Sequence, residues 1–472
     1  LAQSLSLSQL GSTMAKHSLR TLPQLTLHDS QRRATLPFVP LDPEHIRVYY
    51  CGPTVYDLPH IGNLRAMLSA DVLTRLLRTL YPQVTFVRNI TDVDDKITAR
   101  ARENGEDIAS LTTRTTLDFQ HDTDAMGMMR PDIEPRATHH IGEMQAMIAR
   151  LVASGHAYEA NNHVLFSVAS FPDYGALSGR DPEELLAGAR VEVAPWKRDP
   201  GDFVLWKPSD EQQPGWDSPW GRGRPGWHIE CSAMSHRYLG DSFDIHGGGS
   251  DLLFPHHENE RAQSLCCFPG SQFANYWLHN AMLLVNGEKM SKSLGNFLTM
   301  RDVLDRSPAE ALRLFFLSTH YRSTLNFTWS GVEEAKKTLD RFQRALAAHH
   351  DLPEADLPDD FFAALCEDLN TAGALATLHP LAAAALSGDA EAAAQLRAAG
   401  RFLGLLTMTP DEWFRGNASN GPEENEIEAL ITERLDARKA RNFARADEIR
   451  NELAGQGIIL EDGPQGTTWR RG

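Results

Sequence analysis

Ile46 to Ile90 reads IRVYYCGPTVYDLPHIGNLRAMLSADVLTRLLRTLYPQVTFVRNI, and the rhythm within it decides the fold. The run Ile46–Cys51 is apolar, β-branched and aromatic, and it stops at Gly52-Pro53, as a strand and its exit loop do. From Leu64 the residues Leu64, Leu68, Val72, Leu76 and Leu80 recur every four positions, a helical stripe that Tyr81-Pro82 ends. Val84–Ile90 returns to a strand pattern. Strand, loop, helix and strand in this order form the unit of a parallel, doubly wound sheet, so the expected class is α/β.

A second unit lies far downstream. Phe243–His246 predicts a short strand, Gly247-Gly248-Gly249 a loop, and Pro255 the first turn of a helix through His256, Glu260 and Leu265. Ala281–Val285 predicts the next strand, closed by the turn pair Asn286-Gly287. Residues 116–225, rich in Trp, Pro and Gly, read as an insertion between two halves of one nucleotide-binding fold. Beyond residue 340 the chain turns to Ala and Leu with few β-branched residues, which predicts helices. No internal repeat is present.

Composition excludes some classes. No run of 18 apolar residues occurs in the 472, so no membrane-spanning helix is expected. A formal net charge of −17 argues against general coating of nucleic acid, although one specific RNA needs only a local basic surface. The odd count of five cysteines, without an export signal, points to a reducing cytoplasm where thiols serve as core residues, metal ligands or nucleophiles.

Three groups of residues carry chemistry. His60-Ile61-Gly62-Asn63 opens the first helix, whose unpaired N–H groups and positive dipole end suit a phosphate. Lys289-Met290-Ser291-Lys292-Ser293 follows a strand and a tight turn, where two lysines on a loop can neutralise charge developing on a phosphate. Each string alone is weak; the pair, each after a strand, is not a coincidence. Third, His256 and Glu260 stand four apart on a predicted helix and share a face, the spacing of helix-borne metal ligands. Cys51 ends the first strand, at the mouth of the sheet. On these grounds alone the favoured readings are plainer: Cys51 and Cys231 as small buried hydrophobes and His256-His257 as a surface pair.

The paired strings resemble the HIGH and KMSKS signatures of class I aminoacyl-tRNA synthetases. The longer strings CGPTVYD (Cys51–Asp57), NITDVDDKI (Asn89–Ile97), GWHIECSAM (Gly226–Met234), DIHGGGSDLLFPHHENE (Asp244–Glu260), EKMSKSLGNF (Glu288–Phe297) and GIILEDGPQGTTWRR (Gly457–Arg471) resemble the cysteinyl-tRNA synthetases. The likeness covers residues 25–471, with Asn63 where that family has histidine. It implies a Rossmann-like class I catalytic fold with an inserted connective domain, then a helical bundle and a small C-terminal α/β module. The expected segments are a disordered leader or expression remnant (1–24, with Met14 a candidate start), a catalytic first half (25–115), the insertion (116–225) and a second half (226–290). A KMSKS loop and stem-contact region (291–340), a tRNA-binding bundle (341–415), and a linker with an anticodon-binding module (416–472) complete the chain.

The resemblance further implies activation of L-cysteine with Mg2+-ATP and its transfer to cysteine tRNA by a cytoplasmic monomer. One Zn2+ per chain is implied on Cys51, Cys231, His256 and Glu260, with His256 preferred to His257 because only it has the partner Glu260. Cys266, Cys267 and Cys366 are then structural. His60, Lys289 and Lys292 take the catalytic roles. Gly62, Asn63, Gly247, Gly248 and Asp251 lie against the nucleotide, and Thr91 and Trp227 wall the cysteine pocket, with a core tryptophan beside Cys231 an equal reading of Trp227. Asp92, Asp94 and Asp95 read as a solvated turn rather than a magnesium site. In the tail, Arg434, Arg438, Lys439, Arg441, Arg445 and Arg450, against Asp436, Asp447 and Glu448, form an expected cationic strip, the alternative for the individual arginines being a solvated helix with charge pairs. Trp469 is expected to stack on an unpaired anticodon base, with Arg470 hydrogen-bonding to it. The rival readings are a mycothiol cysteine ligase, which resembles the catalytic part alone, and a non-catalytic RNA-binding or cysteine-sensing paralogue.

Overall fold

The structure is a computed structural model and describes residues 23–179, 194–291, 294–349, 351–415, 422, 424–463 and 466–471. The expected leader, apart from its last two residues, and most of the 416–425 linker lie outside the described residues, as does Lys292.

Strands β1 (Thr26–Asp29) and β2 (Ala34–Pro37) form an antiparallel hairpin that leads into β3 (His45–Tyr50). Helix α1 (Ile61–Leu80) then crosses to β4 (Gln83–Arg88), which pairs with β3 in parallel, Val48 opposite Phe86. The helix starts three residues before the apolar stripe because His60 caps it. Helices α2 (Asp95–Asn104), α3 (Ile108–Ala125) and α4 (Ile141–Ala153) precede an antiparallel sheet of β5 (Ala157–Ala160), β6 (His163–Phe166), β7 (Phe203–Pro208) and β8 (Gly223–Pro225). The antiparallel sheet lies within the segment 116–225 read as the insertion, and the expected boundary at 116 falls inside α3.

Helix α5 (Trp227–Leu239) leads to β9 (Ser242–Gly249), α6 (Glu258–Cys267) and β10 (Phe273–Asn280), completing a parallel sheet of order β10-β9-β3-β4. Three expectations need correction here. The glycine run is strand, not loop: Gly247 pairs with both Tyr50 and Leu278, and a Cβ on it would lie 2.2 Å from the Tyr50 ring. The fourth strand is FANYWLHN (Phe273–Asn280), whose polar residues hid it from a search for apolar runs; Leu283–Val285 is instead β11, in another sheet. Phe254 is extended (φ −140°, ψ 135°), so Pro255 sits in a wide turn over Leu253–His257, and the regular helix begins at Glu258.

Strand β11 pairs with β12 (Glu288–Lys289) and with β13 (Leu325–Phe327); α7 (Met300–Leu304) and α8 (Ala309–Leu317) lie between. Helices α9 (Trp329–Ala347), α10 (Asp359–Cys366), α11 (Thr371–Leu386), α12 (Ala390–Phe402) and α13 (Pro410–Arg415) form the expected helical region. Helices α14 (Glu424–Lys439) and α15 (Phe443–Gly455), with the hairpin β14 (Ile458–Gly463) and β15 (Gly466–Arg471), close the chain around Ile427, Ile431, Ile449, Leu453, Ile458 and Trp469.

The pleat of β3 sorts its residues between two cores. Ile46, Val48 and Tyr50 face the core shared with α1 and the helical region, whereas Tyr49 and Cys51 face the core shared with the insertion. Strand β10 does the same, with Tyr276 and Leu278 on the first face and Trp277 on the second. Period two therefore sends Cys51 to the insertion face, where α5 and α6 pack.

Candidate metal centre and nucleotide site

Cys51 leaves the carboxyl end of β3, and the chain there is pressed so close to β4 that a Cβ on Gly52 would lie 1.6 Å from the Asn89 carbonyl oxygen. Cys231 comes from α5, His256 from the wide turn, and Glu260 from the first turn of α6. All four are buried, and their donor atoms lie within 4.8 Å of one another. The two sulfurs are 3.8 Å apart, Cys51 Sγ is 3.5 Å from Glu260 Oε1, and His256 Nε2 is 3.0 Å from the same oxygen. The i,i+4 relation read from the sequence holds across the turn.

The group is charged although buried. A hydrogen bond from Cys51 holds the Cys231 thiol down to about 6, while burial pushes the Cys51 thiol well up. Burial would lower His256, but Glu260 and Cys231 beside it raise it to about 10. Burial likewise opposes ionisation of Glu260, yet His246 and His256 hold it well below the usual carboxylate range. A thiolate and a carboxylate thus gather round one imidazolium proton, a place that a divalent cation can take.

Several residues here escaped the sequence reading, and His257, which it set aside, lies in the cluster as well. His246 Nε2 meets Glu260 Oε2 at 2.9 Å, and His257 Nε2 meets Cys51 Sγ at 3.3 Å, so Cys51, His246, His257 and Glu260 form a second, overlapping donor group. His257 Nδ1 lies 2.8 Å from His279 Nε2, and His228 Nδ1 lies 2.8 Å from His256 Nδ1. Glu230, buried beside Cys231, accepts from Thr91 Oγ1 at 3.0 Å, and burial followed by the Cys231 charge pushes its carboxyl well up. The only available signal was the density of histidine around DIHGGG and FPHHENE. Trp227 is 39% exposed and its ring stacks on His256 with centroids 4.1 Å apart, so it is not a core tryptophan.

Of the nucleotide candidates, His60, Asn63 and Asp251 lie near one another, at the start of α1 and beyond β9. His60 Nδ1 accepts from the Asn63 amide (3.3 Å) and Asn63 Oδ1 accepts from the His60 amide (3.2 Å), a reciprocal cap on α1. Burial lowers His60, with Asp251 opposing, so the ring is neutral near pH 7. Since Nδ1 accepts, the proton sits on Nε2, leaving a donor there. Asp251 follows the Gly247-Gly248-Gly249 strand end, its carboxylate folded back to 2.4 Å from where a Cβ on Gly249 would lie. Lys289 is exposed on β12; Asn296 closes the loop beyond it, donating to Lys289 O (3.3 Å) and accepting from Ser291 N (2.8 Å).

Two acidic and basic groups differ from expectation. Asp92 is not solvated: it is 5% exposed and accepts from Thr138 N and Oγ1 at 2.9 and 2.7 Å. Asp94 caps α2, and Asp95 pairs with Lys207 and Arg224. In the tail, Arg434 and Arg438 pair with Asp462, Lys439 with Asp436, and Arg445 with Glu433 and Glu448, leaving Arg441 and Arg450 of the expected strip unpaired among the described residues. Trp469 is packed in the module's core, with Nε1 donating to Glu428 at 2.8 Å, rather than offered to a base. The Arg470 side chain lies outside the described residues. The aromatic that this module does expose is Phe443, 61% accessible at the start of α15.

Residues 37–337 match the family model for the catalytic domain of class I (C) tRNA synthetases, and residues 423–470 match that for the cysteinyl-tRNA ligase anticodon binding domain. The chain is 66% identical over 447 residues to the cysteine--tRNA ligase of Gluconobacter oxydans, covering 95% of this chain and 98% of that one. It is 61% identical over 449 residues to that of Acidiphilium cryptum, covering 95% and 99%. Among solved structures, methionyl-tRNA synthetase of Mycobacterium tuberculosis in complex with methionyl-adenylate superposes with a TM-score of 0.53 at 16% identity, over 76% of this chain and 89% of that one, which shows a shared fold. A catalytic-domain match over most of the chain, a matching anticodon domain and relatives aligned nearly end to end agree: the chain belongs to the cysteine--tRNA ligase family of class I aminoacyl-tRNA synthetases.

Proposed function

We propose that the chain activates L-cysteine beside the buried donor group just described, with zinc on Cys51, Cys231, His256 and Glu260 and the triphosphate of Mg2+-ATP served by His60, Lys289 and Lys292. The observation that carries the metal assignment is the pair of sulfurs 3.8 Å apart with His256 and Glu260 in reach. Two thiolates each about 2.3 Å from a tetrahedral zinc would be separated by about 3.8 Å. The overlapping group with His246 and His257 offers one sulfur instead of two, and its imidazoles already hold Glu260 and His279, the work of outer-shell partners. Bound there, zinc supplies a soft Lewis acid that takes a thiolate in preference to a hydroxyl.

The carboxylate of cysteine attacks the α-phosphorus of ATP in line, forming cysteinyl-adenylate and releasing pyrophosphate. His60 donates from Nε2 to a phosphate oxygen, Asn63 offers its amide N–H groups, and the lysines meet the charge that grows in the transition state. Gly62 at the opening of α1 and Gly247 and Gly248 at the end of β9 lie against the nucleotide, and Asp251 takes the ribose. Thr91, held by Glu230, and Trp227, lying over His256, wall the amino acid. The 3′-terminal ribose of cysteine tRNA then attacks the acyl carbon, at the 2′ hydroxyl as a class I enzyme does. Magnesium travels with ATP, because Asp92 and Asp95 are already engaged. Phe443, with Arg441 and Arg450 nearby in sequence, replaces Trp469 as the group offered to the anticodon. The anticodon domain weighs against the mycothiol ligase reading. The setting proposed is a monomer in the cytoplasm; no helix among the described residues is long and apolar enough to cross a membrane.

Elemental analysis of protein prepared without added metal tests the assignment. About one zinc per chain is expected, lost in Cys231→Ser. Absence of zinc, or its full retention in that variant, would overturn the ligand set.

A further inference from the structure

Arg65 lies one turn into α1, five residues after His60, and is only 3% exposed. Among the described residues its guanidinium meets no carboxylate. It donates instead to four backbone carbonyls: Nη1 to Ala281 and Met282, both at 3.0 Å, and Nη2 to His320 at 3.2 Å and Ser323 at 2.6 Å. Burial pulls it down to about 10, so it remains charged at neutral pH. Burying a cation without a counter-ion carries a desolvation cost that an apolar side chain of the same volume would avoid. Its geometry must serve another end.

The four carbonyls belong to two separate segments that meet at one place. Ala281-Met282 runs into β11 and His320–Ser323 runs towards β13, and the two strands pair, Leu283 opposite Leu325 and Val285 opposite Phe327. Strand β11 turns at Asn286-Gly287 into β12, which carries Lys289 into the phosphate loop. The far end of that loop returns to the same helix: the Ile61 amide donates to Leu298 O at 3.0 Å, and His60 bridges Thr299. Both ends of the loop are thus referenced to α1, one through the Ile61 main chain and the other through the Arg65 side chain.

We infer that Arg65 is a positioning residue for adenylate formation, fixing the base of the lysine-bearing hairpin at a set distance from His60. The inference rests on the phosphate role proposed for the loop. Lysine at this position keeps the charge but, as a single point donor, cannot span two segments as the guanidinium fork does.

Pre-steady-state adenylate formation, counted per zinc-loaded site, tests it on Arg65→Lys, Lys292→Ala and the double variant. Arg65→Lys should slow the step by on the order of tenfold to a hundredfold, the usual effect of a misplacement near 1 Å, while cysteine affinity and zinc content hold. The double variant should be no slower than Lys292→Ala, because Arg65 acts through the loop that Lys292→Ala has already disabled. Asn326→Ala gives a second perturbation away from the core: Asn326 Oδ1 accepts from Gly287 N at 2.7 Å at the exposed hairpin tip, and its loss should slow the step in the same non-additive way. An unchanged rate in Arg65→Lys or Asn326→Ala, or losses that multiply with Lys292→Ala, would overturn the inference and leave the loop's phosphate role intact. An unchanged rate in Lys292→Ala would instead remove the phosphate role itself, and the inference with it.

Discussion

Asp71 offers the sharpest test of how the catalytic helix is held. It lies on the α1 face turned to the helical region, is 2% exposed, and accepts from Arg313, from Arg75 Nε (3.0 Å to Oδ2) and from the Met129 amide (2.9 Å). Arg313 on α8 is fully buried; its remaining donors go to Leu403 O at 2.5 Å and Met126 O at 2.7 Å. Asp71→Asn preserves the shape but removes the only carboxylate bonded to that guanidinium among the described residues. An ion pair broken on one side in this way costs about 3–5 kcal/mol, against at most about 1 kcal/mol for an exposed pair. The pH dependence follows from the sign of the shift. Burial would raise Asp71, but Arg313 and Arg75 overcome it and hold the carboxyl below its ordinary value. Its contribution is therefore complete above the unfolded pKa of about 3.9 and disappears as the pH falls through the folded value. Denaturant unfolding of the two proteins should show a gap of about 3–5 kcal/mol that is constant from pH 7 to about 5 and narrows in acid. A gap below about 1 kcal/mol at pH 7, or one that widens in acid, would refute the reasoning.

Deleting residues 421–472 should spare cysteine-dependent ATP–pyrophosphate exchange while sharply reducing tRNA charging; normal charging by the truncated chain would show that the module does not read the tRNA. Phe443→Ala should weaken charging by about 1–3 kcal/mol, the worth of one base–aromatic stack, without changing thermal stability. Trp469→Ala should destabilise the module by about 3–5 kcal/mol, read as earlier unfolding; the reverse pattern would restore Trp469 as the contact. Restoring the family histidine, Asn63→His, should leave the fold unchanged because His60 keeps its cap, and any change should appear in the KM for ATP.

The sequence exposed the parts whose physics is local. The stripe from Leu64 to Leu80 follows from helical geometry and holds in the structure, and the i,i+4 pair His256/Glu260 meets although His256 sits in the turn before the regular helix. What escaped depended on contacts distant in sequence. Strand β10 looked polar because the partners of its buried polar groups, Ser69 for the Asn280 amide and His257 and Ser30 for His279, are residues a sequence window does not contain. The glycine run looked like a loop because the Tyr50 ring that demands glycine comes from another strand. The tail misled for the same reason: a tryptophan beside two arginines reads as an RNA contact until its partners Glu428 and the isoleucines of α14 are brought against it. In the strip the local charge pairs, Lys439 with Asp436 and Arg445 with Glu448, were legible within one helix-length window, whereas Asp462, which takes Arg434 and Arg438, comes from the distant hairpin.

The central claim is that a thiolate-seeking metal selects the amino acid, and the ratio of cysteine-dependent to serine-dependent ATP–pyrophosphate exchange on one zinc-loaded preparation tests it most directly. A pocket that judged only shape would separate these near-isosteres by about 10- to 200-fold. The account predicts a ratio well above that range, with serine exchange nearly absent, and its collapse towards that range in Cys231→Ser. Comparable exchange with the two amino acids, or a high ratio that survives the loss of Cys231 and of zinc, would contradict it.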